Sequence, residues 1–108
     1  MQNEIIYSPE VRIYLRELIQ ILYDKNYFGF YESAAAYVST LRLKISESLP
    51  ISLRKSAPPY FPRYGKDLWY ISVRMNDRTT WYVFFTNPIE EIYLIHYITN
   101  NHVAAQYL

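Results

Sequence analysis

The sequence predicts a single α+β domain spanning residues 1–108, in the order strand, helix, helix, three strands. A two-helix hairpin is expected to pack on one face of an antiparallel sheet, with a short C-terminal tail or helix. Three observations carry this expectation. Two apolar stripes of helical period fill residues 8–49, three β-prone runs succeed one another between Lys66 and Ile98, and 51% of the 108 residues are hydrophobic. That content suffices for one modest core and argues against disorder.

Glu4-Ile-Ile-Tyr7 is short and β-prone and reads as the first strand. Ser8-Pro9-Glu10 then has the marks of a helix start. Serine accepts a free amide proton, proline suits the first helical position, and glutamate favours the positive end of the dipole. Val11, Tyr14, Leu15, Leu18, Ile21 and Leu22 follow as one apolar stripe, and the helix should stop near Lys25-Asn26. The aromatic connection Tyr27-Phe-Gly-Phe-Tyr31 is too apolar to stay in water and is expected to pack on the core. A second helix begins at Glu32 or Ser33 and buries Ala34, Tyr37, Val38, Leu41, Ile45 and Leu49, with Arg42, Lys44, Ser46 and Glu47 towards water. Pro50 ends it.

Residues 51–65, with Pro58, Pro59 and Pro62, read as an ordered loop with little regular structure. In the first strand of the following trio, Trp69, Ile71, Val73 and Met75 share one face, and Leu68, Tyr70, Ser72 and Arg74 take the other. Asn76-Asp77 supplies a turn, Thr79 to Thr86 returns, and after Asn87-Pro88 the run Ile92 to Ile98 completes a four-stranded sheet. Rings occupy both faces of these strands, so the face away from the helices should itself be partly apolar.

Composition excludes several function classes. Two glycines cannot make a glycine-rich phosphate loop, two histidines make a histidine-rich metal site a poor expectation, and without cysteine there is neither disulfide nor thiolate chemistry. The pattern lacks a membrane span and a signal-peptide signature, which fits a cytoplasmic protein. The net charge of +1 conceals an uneven distribution. Residues 1–41 carry three Lys/Arg against five Asp/Glu, residues 42–78 carry eight against three, and residues 79–108 carry none against two. The basic middle suits phosphates or an acidic protein, and it equally suits a solvated surface. Tyr60, Tyr64 and Tyr70, three of thirteen tyrosines, lie in that segment, where rings could stack on bases. Arg74 and Arg78 flank the first strand-to-strand turn and mark a candidate anion site.

Several stretches resemble the RelE/ParE superfamily of bacterial toxins, particularly its HigB-like branch. Leu68-Trp-Tyr-Ile-Ser-Val-Arg74 is similar to the family strand that ends in arginine, and Thr80-Trp-Tyr-Val-Phe-Phe85 to the strand that pairs with it. Tyr93-Leu-Ile-His96 and Tyr97-Ile-Thr-Asn-Asn101 resemble the HigB-like ending, and Ala34-Ala-Ala-Tyr37 opens the second helix as in the family hairpin. The likeness spans nearly the whole chain as an element order.

This resemblance implies a cytoplasmic toxin of a type II toxin-antitoxin system, held inactive by a cognate antitoxin protein. RelE-like and HigB-like members are endoribonucleases that cleave mRNA, usually on the ribosome, with no metal and no small-molecule cofactor. A base takes the ribose 2′-hydroxyl proton, the oxygen attacks the adjacent phosphate, and an acid protonates the departing 5′-oxygen. Carried over residue by residue, Arg74 is the transition-state cation, Arg78 stands near the place of a second, and His102 could serve as acid or base. Arg63, Lys66 and Tyr70 are candidate RNA contacts, whereas His96, inside a strand, reads as structural. Two departures matter: Trp81 occupies the usual place of the second arginine, and neutral Asn100-Asn101 replaces a lysine pair. Two alternatives therefore stay open, a ParE-like toxin that binds a protein such as gyrase, and an attenuated interaction module on the same scaffold.

Overall fold

The computed structural model describes residues 3–25, 29–58 and 68–104, with side chains up to His102. Strand β1 (Glu4–Tyr7) leads into helices α1 (Pro9–Asp24) and α2 (Tyr31–Ser48). Then come β2 (Lys55–Ser56), β3 (Trp69–Asn76), β4 (Thr79–Ile89), β5 (Ile92–Asn100) and the single turn α3 (Asn101–Ala104). The five strands form one sheet in the order β1-β5-β4-β3-β2.

The sheet is mixed, where an antiparallel one was expected, because β1 runs parallel to β5 with Ile5 opposite Tyr93 and Tyr7 opposite Ile95. An alternating pattern specifies a face but no direction. Only the long crossover through both helices permits a parallel pair. Residues 51–58 were expected to be an ordered loop in a four-stranded sheet, but Lys55 and Ser56 pair with Tyr70 and Trp69 as a fifth strand.

Helix α1 starts as its sequence dictates. The Ser8 hydroxyl accepts from the Val11 amide at 3.2 Å, and Pro9 follows directly. Val11, Leu15 and Leu18 are buried, but Ile21 is 39% exposed, lying off the line that runs through Leu15, Leu18 and Leu22. Helix α2 buries Ala34, Val38, Leu41 and Ile45, and Leu49 at its end, as its period predicts. The described end of the aromatic connection departs from expectation: Phe30 is largely exposed, and Tyr31 meets the Tyr23 ring edge-on at 5.8 Å outside the core, while Tyr27 and Phe28 lie outside the described residues. A local ring pair there substitutes for burial under the sheet.

The main core lies between the helices and one sheet face, where Ile71, Val73, Trp81, Val83, Phe85, Tyr93, Ile95 and Ile98 meet the helical stripes. Trp69 and Met75 pack at its margin, in the alternation read from the sequence. On the opposite face Leu68, Tyr70 and Phe84 form a second buried cluster, flanked by Ala57, Tyr82 and Tyr97. That face is apolar as expected, and its centre is closed by Leu68, Tyr70 and Phe84.

Irregularities sit where the sheet meets its turns. The break expected at Asn87-Pro88 falls later, at Glu90-Glu91, because the Asn87 amide donates at 2.7 Å to the Ile89 and Ile92 carbonyls and carries the chain through a register shift. In β5, Phe84 faces Tyr97 and Phe85 faces Ile95, so His96 is the extra residue of a bulge.

Candidate functional site

The far ends of β3, β4 and β5 and the turn α3 meet at one corner of the sheet, and the corner is built from side chain-to-backbone bonds. Asp77 and Arg78 form the two-residue connection between β3 and β4. Before it, the Asn76 carboxamide oxygen accepts from the Arg78 amide at 2.9 Å and the Thr79 amide at 3.0 Å. Asparagine suits this place because its short side chain can reach amides two and three residues ahead. Met75 is an extra residue between the pairs Arg74–Thr80 and Asn76–Thr79, which sharpens the strand's twist at the turn.

From the other side, Asn101 clamps the turn. Its carboxamide oxygen accepts from the Thr80 amide at 3.0 Å, and its Nδ2 donates to the Arg78 carbonyl at 3.0 Å. The following residue, His102, has its amide donating to the Asn100 side chain at 2.9 Å and its Nε2 3.2 Å from the Thr79 hydroxyl. Arg78 and His102, twenty-four positions apart in the chain, are thereby brought to the same corner. Arg74 sits across the ladder from Thr80, which Asn101 binds, so the backbone positions of all three predicted catalytic residues lie at this corner.

Their electrostatics are less uniform than their positions. Arg74 is 67% exposed and forms an ion pair with Asp77 at 3.1 Å, its Nε also donating to the Asn76 carbonyl at 3.2 Å. Arg78 is exposed and enters no ion pair among the described residues. Lys44 adds a third cation, because its ammonium reaches from α2 to the Arg74 carbonyl at 3.3 Å. Phosphate could be held here by guanidinium and ammonium groups at the mouth of the turn. The Asp77 carboxylate is the internal anion that such a ligand would displace from Arg74.

The remaining expected residues separate from this corner. Tyr70 is 8% exposed, with its ring 5.2 Å from Phe84 and 6.2 Å from Tyr82, so packing takes up its faces. Trp81 is 1% exposed, and its indole N–H donates to the Tyr37 hydroxyl at 3.0 Å. It fills the core beneath the helices and puts no polar group at the corner. His96 lies nearer the middle of β5, with Nε2 2.8 Å from the Thr86 hydroxyl, and burial holds its ring below the usual histidine range. Its structural role matches the sequence reading. Arg63 and Lys66, with Tyr60 and Tyr64, lie outside the described residues.

The basic middle segment is also divided by the fold. Arg54 is folded back over the rings of Phe85 at 5.0 Å and Trp69 at 5.6 Å, and it donates to the Asn87 side chain at 3.0 Å. This cation is taken up by packing on aromatic rings. Sequence reasoning missed Lys44 and the clamping role of Asn101. Lys44 looked like one more solvated helix position, and the Asn100-Asn101 pair attracted notice only for lacking charge. Among the described residues no group of acids and histidines could hold a metal ion, and no helix is long and apolar enough to cross a membrane. Comparison of the chain with protein-family models, with curated proteins and with solved structures returns no match.

Proposed function

We propose that the protein is a cytoplasmic toxin that cleaves mRNA without a metal, on or near the ribosome, and that a cognate antitoxin neutralises it. The observation that carries this reading is the convergence of Arg74, Arg78 and His102 at one corner of the sheet, with Lys44 beside them. Arg74, freed from Asp77, and Arg78 would share the charge that builds on the phosphorane when a ribose 2′-oxygen attacks the phosphate. His102, seated against Thr79, would transfer a proton to the departing 5′-oxygen, and the proton of the attacking 2′-hydroxyl would pass to solvent water. Arg63 and Lys66 would track the RNA backbone as point charges.

The test is induced expression of the chain alone in a bacterium, beside Arg74→Ala, with mapping of mRNA 5′ ends. Growth arrest with new cleavage sites is expected for the native chain, and a loss of cleavage of about 10²–10³-fold for the variant. Because Arg74 is mostly exposed, the variant should melt like the native chain. Undiminished cleavage by a folded Arg74→Ala protein would sink the assignment.

One observation favours a second reading. Trp81 is buried where a second arginine would be needed, and Arg74 already has an acidic partner. A toxin that acts by binding a protein such as gyrase needs neither a placed base nor a free cation. Growth arrest with intact mRNA and damaged DNA would mark that outcome.

A further inference from the structure

A second basic feature lies between the two helices. A groove of about 400 Å³ has Leu15, Ile19, Ala35 and Val38 as its apolar lining and Arg12, Arg16 and Arg42 as its charged one, with Ser39 beside them. Each helix contributes four positions spaced as i, i+3, i+4 and i+7, one continuous face of either helix. Leu15 and Val38 are buried and the three arginines exposed, so the groove has an apolar floor and cationic margins. No acid lines it, and Arg12 and Arg16 enter no ion pair among the described residues. Arg42 is steadied by the Tyr7 ring, 5.2 Å from its guanidinium carbon.

We propose that this groove docks an amphipathic helix of a partner protein, one that carries Asp or Glu along the edges of an apolar stripe. The inference rests on the partner half of the function proposed above and specifies where, and by what chemistry, the partner would bind. A helix laid between two helices places its own apolar residues on Leu15, Ile19, Ala35 and Val38, while its acids reach the arginines. A nucleic-acid backbone would meet the arginines but would lay charged phosphates over an apolar floor. A second copy offering the same groove would set arginine against arginine.

The measurement is fluorescence anisotropy with the full chain and two labelled helical peptides. One bears a Leu/Ala stripe flanked by Glu, and the other has Gln in place of each Glu. The Glu peptide should bind about tenfold tighter at low salt, an advantage that shrinks as salt is raised. That preference should vanish in Arg12→Gln/Arg16→Gln/Arg42→Gln, weaken in Arg16→Glu alone, and persist in Arg74→Ala, with folding of each checked by circular dichroism. Equal binding of the two peptides, or a charge preference that survives the triple substitution, overturns the proposal. Displacement of the Glu peptide by a single-stranded RNA oligonucleotide through the same arginines would overturn it in favour of nucleic acid. A concentration-dependent dimer abolished by the triple substitution would overturn it in favour of self-association. Failure of the mRNA-cleavage reading leaves this binding measurement unaffected, so the two fail separately.

Discussion

The corner at the β3–β4 turn and the groove between α1 and α2 each gather three cations, and they are assembled in opposite ways. At the corner, Lys44, Arg74 and Arg78 sit among backbone bonds made by Asn76 and Asn101, with an acid, Asp77, already paired to one of them. In the groove, Arg12, Arg16 and Arg42 border an apolar lining, and no acid lies among the residues that form it. Fixed polar scaffolding around cations suits charge that develops at one atom, as in phosphoryl transfer. An apolar floor with charged margins suits a surface that must be covered along its length. Helix α2 serves both, because Arg42 and Lys44 stand two positions apart and so point away from one another.

Removing what the two regions share should have the largest effect. Trp81→Ala empties a fully buried volume and removes the indole donor to the Tyr37 hydroxyl, so urea unfolding should show a loss of about 3–5 kcal/mol, with the proposed RNA cleavage and peptide docking lost together. Retention of either activity at unchanged stability would show that the corner and the groove do not depend on one core. Asn101→Ala should separate them. It leaves the Thr80 amide and the Arg78 carbonyl without their partner, a cost of about 1–2 kcal/mol in the same assay. The proposed cleavage should fall, since the turn that carries Arg78 loses its tie to the segment that carries His102, while the Glu peptide should bind as before. Loss of both would place Asn101 in the common frame.

The smallest effect belongs to neither region. His96 has its pKa lowered in the fold by burial, so below the unfolded-state value of about 6.5 the unfolded chain takes up the proton first. Its contribution to stability is therefore full above that value and is lost as the pH falls through the folded pKa. Urea midpoints measured from pH 7.5 down to about 5 should decline, and the decline should flatten in His96→Asn. An unchanged slope in that variant would assign the acid sensitivity to other groups.

How much of this was legible in the sequence differs from residue to residue. Period-two alternation put Arg74 on the face away from Trp69, Ile71 and Val73, and the fold agrees. Helical period gave the buried stripe of α2 residue for residue, apart from the half-buried Tyr37. The bulge at Met75, which brings Arg74 into reach of Asp77, left no pattern to read, because an inserted residue looks the same as a continued strand. The clamp by Asn101 joins residues more than twenty positions apart and is invisible to any local rule. Tyr70 shows the same limit in reverse. A tyrosine on a face without helices reads as exposed, yet Phe84 and Tyr82 close over it.

By itself the sequence determined the local matters. Ser8-Pro9 starts α1, Pro50 follows the end of α2, the strands alternate in the order observed, and scarce glycine and absent cysteine exclude whole classes of chemistry. These depend on backbone sterics, capping and side-chain period, all acting within a few residues. Tertiary structure alone decided that β1 runs parallel to β5, that Lys44 reaches the Arg74 carbonyl, and that two unrelated helical stripes face each other as an arginine-bordered groove. Each of these requires distant segments to meet. Which segments meet is set by the burial of the whole apolar surface at once, a quantity no short stretch of chain contains.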